Sequence, residues 1–166
     1  MTAQDTASLV RPDPKLFFPD LDVPAKSDLF ATLVGALADL NVADHGDALL
    51  RLLLEREAIG TTAMGWGIAL PHARSHVVNR TAIAFARLRS PLDFGAGDGA
   101  PVTAALLLVA PYGAGGVLYT PLLAVLASAV HDAAGRARLL GVASFEDFER
   151  MIQQYVRPRL QEVLAR

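Results

Sequence analysis

The run Val102–Val109 reads Val-Thr-Ala-Ala-Leu-Leu-Leu-Val and is fenced by Pro101 and Pro111. A segment this short and this apolar has no face to offer water. It reads as a strand buried on both sides, hence the centre of a sheet that other layers must cover. The flanking pattern supplies the cover: helices come first, a cluster of strands in the middle, and helices again at the end. The expected fold class is therefore α/β (α+β), a single-domain mixed β-sheet flanked by helices on both sides.

Leu16–Val23, interrupted by Pro19, reads as an edge strand, since proline cannot donate to a ladder. Ser27 is placed to cap a helix through Asp39, whose apolar face is Leu29, Leu33, Ala36, Leu37 and Leu40. Asp44 is placed to cap a second helix through Arg56, and its dense leucines (Leu49, Leu50, Leu52, Leu53, Leu54) predict a largely buried element. Ile68–Leu70 and Thr81–Arg89 read as strands, and Pro91–Gly99 as a turn-rich connection. Pro111–Gly116 has the composition of a mobile loop. A helix then begins at Tyr119 or Thr120, with Pro121 in its first turn, and runs to His131. Arg136–Gly141 is a helical turn. Ser144 and Asp147 form a capping box for a helix through Val156, which Pro158 bends or ends. Boundaries follow at 1–13 for a flexible N-terminus, 14–157 for the domain and 158–166 for a C-terminal tail.

Several function classes are excluded by composition. With 166 residues, 52% apolar and 19% charged, the chain can bury one substantial core and is not disordered. A formal net charge of −2 and the lack of a basic stripe give no nucleic-acid signature. There is no cysteine, so disulfides, thiolate chemistry and cysteine zinc sites are out. Val117–Val130 is broken by Pro121 and falls short of the roughly 20 apolar residues of a bilayer span. Met1 is followed by polar residues without a signal-peptide pattern. The expected location is the cytoplasm.

Chemistry concentrates in Met64-Gly65-Trp66-Gly67-Ile68-Ala69-Leu70-Pro71-His72-Ala73-Arg74. Glycines allow a tight turn, a short apolar strand follows, and Pro71 weakens pairing just before His72. A neutral imidazole held at a strand end offers one nucleophilic nitrogen while the other anchors the ring. Arg56-Glu57, Thr62 and Gly67-Ile68-Ala69-Leu70-Pro71-His72-Ala73-Arg74 together resemble the phosphotransferase-system (PTS) enzyme IIA domains of the fructose/mannitol type, including the nitrogen-regulatory IIA proteins. The resemblance runs from about Leu16 to about Val156.

It implies the fold of that family and a phosphocarrier function. His72 would take a phosphoryl group from a histidine-containing phosphocarrier protein. It would pass the group to a IIB domain, or hold it as a nitrogen-related regulatory signal for a target protein. The chain would be a phosphohistidine-carrying transferase component rather than a stand-alone enzyme, with no cofactor and no metal. Arg56 would neutralise the phosphate, against a plain reading as a solvated helix-end arginine. Thr62 is either a hydrogen-bond donor to His72 or phosphate, or a turn residue. Arg74 is either a source of positive field or a surface arginine. Met64 and Trp66 are core residues or a docking patch for the donor, which Tyr112 can join. Family members usually carry a second histidine at the start of the helix after the mobile loop; here Tyr119-Thr120 stand in that place. A phenol can hydrogen-bond but supplies no imidazolium charge, so the alternative is a IIA-like regulatory binding domain that is not phosphorylated. His45, His76 and His131 are isolated and read as surface or helix-end residues.

Overall fold

A computed structural model describes residues 10–166. At its centre β6 (Val102–Ala110) lies antiparallel to β5 (Ala82–Leu92). On the far side of β5, β1 (Phe17–Leu21) runs parallel as an edge strand. On the far side of β6 run β3 (Ile68–Ala69) and β4 (His72–Arg74), both parallel to it. β2 (Ala63–Gly65) pairs antiparallel with β3 and closes a hairpin that the sequence reading did not foresee. The result is a six-stranded mixed sheet with β6 interior.

Strand alternation divides the core into two layers. Ile83 and Phe85 of β5, with Ala104, Leu106 and Leu108 of β6, face one cluster. Ala84, Ala86 and Leu88, with Ala105, Leu107 and Val109, face the other. The second layer is roofed by α1 (Lys26–Asp39) and α2 (Gly46–Ile59). The first is roofed by α3 (Tyr119–His131), α4 (Ala133–Gly141), α5 (Phe145–Met151) and α6 (Arg157–Leu164). Ala114–His131 is long and apolar enough to cross a membrane by length and composition alone. Its Leu118, Leu122, Leu126 and Val130 are instead packed into the core.

Several boundaries differ from the sequence reading for identifiable reasons. Ser27 does not cap α1, which begins at Lys26 after an extended Ala25. Asp44 does not cap α2 because its carboxylate accepts from the Asn79 amide at 2.6 Å, leaving His45 at the cap position. The leucines of α2 are not all buried. Leu49 and Leu53, one turn apart, point inward, while Leu52 and Leu54 are 40% and 37% exposed. Pro91 lies inside β5, at a register irregularity between Arg87 and Leu92 where no ladder donor is needed. Nor does Pro158 end the last helix. A π-helical turn over Ile152–Val156 widens the ladder just before it, and α6 continues with the proline in its first turn. The capping box of Ser144 and Asp147 is present in full.

At the N-terminus, residues 1–9 of the expected flexible segment lie outside the described residues. Val10 is 4% exposed within the core, and Asp13 caps the turn Pro14–Leu16. At the other end Leu160 is fully buried.

Candidate functional site

One strand in two pieces carries the site. The pairing of β3 and β4 with β6 keeps a single offset throughout, Ile68 opposite Ala104 and His72 opposite Leu108. Pro71 interrupts without breaking, because its carbonyl still accepts from the Leu108 amide at 3.0 Å. His72 therefore starts a second stretch of strand instead of ending the first. Ile68, Leu70, His72 and Arg74 alternate onto the face that α3 covers, where Ile68 and Leu70 join its core cluster. Among the described residues β4 has no strand partner on its outer side, since β2 begins only at Ala63, opposite Ala69. That open edge leaves the His72 ring half-buried and reachable.

The ring is oriented by backbone. His72 Nδ1 lies 2.8 Å from the Leu70 carbonyl oxygen. A carbonyl can only accept, so Nδ1 carries the hydrogen and the lone pair of the neutral imidazole is left on Nε2. Leu70 is itself pinned, its amide donating to the Thr62 carbonyl at 2.9 Å.

Around the ring stand two phenols and two guanidiniums. The Tyr119 ring centroid is 6.5 Å from that of His72. Arg74 Cζ lies 5.9 Å from the Tyr119 ring and 5.4 Å from the Tyr112 ring, and its Nε donates to the Pro111 carbonyl at 3.1 Å. Burial pushes the Tyr119 hydroxyl above its ordinary range, while the charges of Arg56 and Arg74 pull the other way. Arg56 acts on the phenol through its charge alone; it sits at the C-terminal end of α2, where its Nη1 donates to the Gly60 carbonyl at 2.9 Å. Tyr112 is 51% exposed and also touches His76, at 4.5 Å between ring centroids. Tyr119 is brought beside His72, Arg74 and Tyr112 stand next to Tyr119 or Arg74, and Arg56 enters only through its charge on Tyr119.

Thr62 does not meet His72. Its hydroxyl donates to Glu57 Oε2 at 2.6 Å and its amide to both carboxylate oxygens at 3.1 Å. Glu57 also accepts from Lys26 at 3.1 Å. Sequence reasoning gave Glu57 no role beyond the Arg56-Glu57 motif and did not consider Lys26. The signal available was an acidic residue in the last turn of the helix, shortly before Thr61-Thr62. This buried polar knot fixes the segment whose Thr62 carbonyl holds Leu70, so it supports the histidine from behind.

Met64 and Trp66 are not brought to His72 either. Ile68 and His72 are four register steps apart, about 13 Å along the sheet, and Trp66 lies beyond Ile68 at the hairpin tip. There the indole meets His131 at 5.8 Å and the Arg136 guanidinium at 4.3 Å, at the far end of α3 from Tyr119. Met64 packs against the core that α3 covers. The tip is shaped by Gly67 at φ +77°, where a Cβ would stand 3.1 Å from Thr103 Oγ1 and 3.3 Å from the Pro101 carbonyl oxygen. Among the described residues, no group of three or more His, Cys, Asp or Glu side chains is arranged to hold a metal ion.

Residues 13–155 match the family model described as "Phosphoenolpyruvate-dependent sugar phosphotransferase system, EIIA 2", and the chain belongs to that family. A nitrogen regulatory protein of Bradyrhizobium diazoefficiens is 39% identical over 102 residues, covering 61% of this chain and 66% of that protein. The fructose-specific EIIA component of a PTS system from Haloferax volcanii is 32% identical over 124 residues, covering 75% of this chain and 80% of that one. Among solved structures, the nitrogen regulatory protein IIA-Ntr of Neisseria meningitidis superposes with a TM-score of 0.75 at 30% identity, covering 87% of this chain and 97% of that one. A complex of enzyme IIAMTL with phosphorylated IIBMTL from Escherichia coli gives a TM-score of 0.72 at 16% identity, covering 87% and 99%, a likeness of fold alone.

Proposed function

We propose that this chain is a cytoplasmic phosphocarrier that accepts a phosphoryl group on Nε2 of His72. The donor is the phosphohistidine of a histidine-containing phosphocarrier protein. The Nε2 lone pair forms the new P–N bond as the donor's P–N bond breaks, and that electron pair returns to the donor imidazole. Nδ1 keeps its hydrogen on the Leu70 carbonyl throughout. Arg56 holds the transferred oxygens as a fork of permanently charged donors. The group then passes to a IIB domain or stays as a nitrogen-related signal read by a target protein; the resemblance to nitrogen regulatory proteins favours the second outcome.

The observation that carries this reading is the 2.8 Å contact between Nδ1 and the Leu70 carbonyl, which leaves Nε2 free on a half-exposed ring. To test it, the protein is incubated with phosphoenolpyruvate, the general phosphotransferase enzyme and the phosphocarrier. The expected result is one acid-labile phosphate that His72→Ala abolishes. A second reading is favoured by Tyr119 standing at His72 in place of the family's second imidazole. In it the chain binds partners without being phosphorylated. No labelling under conditions that label a control IIA domain establishes the second reading over the first.

A further inference from the structure

The contacts of Arg74 are more organised than a surface arginine needs. Its guanidinium lies within 6 Å of two phenol rings, 5.4 Å from Tyr112 and 5.9 Å from Tyr119. Its Nε is committed to the Pro111 carbonyl. Stacking and this one bond fix the plane of the group while leaving the two Nη atoms for another acceptor. The loop beneath is equally fixed. A Cβ on Gly116 would fall 1.8 Å from the Pro111 carbonyl oxygen and 3.2 Å from Arg74 Nε, so only glycine lets the chain pass there. Tyr119 joins the two halves, since the same phenol that faces Arg74 has its ring beside His72 and feels Arg56 as well.

We propose that the Tyr112–Arg74–Tyr119 stack is the second phosphate-holding element of this site, supplying through a guanidinium the positive charge that the family's second histidine supplies through an imidazolium. This rests on the assignment of His72 as phosphoryl acceptor and adds a consequence that assignment lacks. An imidazole gains or loses its charge between about pH 5 and 8, whereas a guanidinium is charged at every accessible pH. The groups facing the stack are His72 and Arg74 on β4, Arg56 on α2, Tyr119 on α3, Tyr112 on the loop, and His76 against Tyr112. The charge next to the acceptor is therefore arginine, and Tyr119 stays a neutral donor into the alkaline range because burial raises it.

The test uses potassium phosphoramidate, a small donor that needs no protein docking. The Nε2 lone pair forms a P–N bond as the P–N bond of the N-protonated reagent breaks, and ammonia leaves with that electron pair. Phosphohistidine formation is followed by 31P NMR in the native protein and in Arg74→Gln, Arg74→Lys, Tyr112→Leu and Tyr119→His. The expected results are about a tenfold or greater slowing in Arg74→Gln, substantial recovery in Arg74→Lys, and a smaller loss in Tyr112→Leu. Relative to the reaction of free imidazole with the same reagent, the native rate holds level between pH 7.5 and 9, values chosen for the assay, while Tyr119→His gains nothing there because its added imidazole is uncharged above about pH 8. Circular dichroism melts of each variant separate a loss of fold from a loss of rate. An unchanged rate in a folded Arg74→Gln, or a decline of the native rate relative to free imidazole across that alkaline window, overturns the role of the stack and leaves His72 in place. No phosphohistidine in the native protein overturns the acceptor assignment itself.

Discussion

Leu70 accepts from His72 through its carbonyl and donates to Thr62 through its amide. One apolar residue thus transmits the position of a buried polar knot to the His72 ring. Glu57 is 7% exposed and takes its hydrogen bonds from Lys26 and Thr62. Thr62→Val keeps the shape and removes the hydroxyl donor, leaving a buried carboxylate oxygen short of one partner. The expected cost is about 1–3 kcal/mol, read as a lower urea midpoint with an unchanged slope. Tyr119 gives a second outcome at this scale. Its folded pKa is raised, so its contribution to stability is complete below the unfolded value of about 10 and is lost as pH rises from there through the folded value. Native stability should therefore fall more steeply than that of Tyr119→Phe in urea titrations above pH 10. Equal slopes would mean that the phenol is not desolvated. His72 and Arg56 can be singled out from the sequence, because a Pro-His step and a helix-end arginine are local patterns. The stack around Arg74 cannot, since Tyr112, Tyr119 and Arg74 come from three separate segments and meet only through the fold.

At the scale of elements, local chemistry was read well where it closed within a few residues. Ser144 and Asp147 satisfy each other's orphan amides, and nothing distant competes for either. Asp44 carried a cap signal of similar strength, yet a partner 35 residues away, Asn79, claimed its carboxylate. The leucines of α2 misled for a related reason. Their density predicts burial, but α2 meets the sheet layer along one stripe and packs beside α1, so Leu52 and Leu54 stay outside. Pro158 predicts a bend or an end of the helix, because the π-helical turn that accommodates it has no sequence signature of its own. The capping box offers a clean measurement. Ser144→Ala removes the side-chain acceptor for the Asp147 amide and should lower stability by about 1 kcal/mol. Calorimetry should record a lower Tm while phosphohistidine formation at His72 is unaltered, since α5 lies away from the ring.

The whole molecule is a sheet with two cores, and β6 belongs to both. Leu106 faces the α3 side and Leu107 the α1 side, and each is essentially fully buried. If the two cores were separable folding units, loss of packing in one would leave the other standing. The construction argues against this. β5 and β6 each carry one core on one face and the other on the opposite face, so neither layer can lose its floor alone. Leu106→Ala and Leu107→Ala should each cost about 2–5 kcal/mol. Both should move one shared transition rather than split it in two. The single tryptophan, Trp66, reports from the hairpin tip against α3 and α4, and far-ultraviolet circular dichroism reports on all helices together. Coincident unfolding curves from the two probes in the Leu107→Ala protein are the decisive result, because that substitution lies on the opposite face of the sheet from the core that α3 roofs. A tryptophan transition left at its native midpoint while the dichroism signal falls would instead make the α1–α2 layer an independent unit, and the strand carrying His72 would then owe its rigidity to one core only.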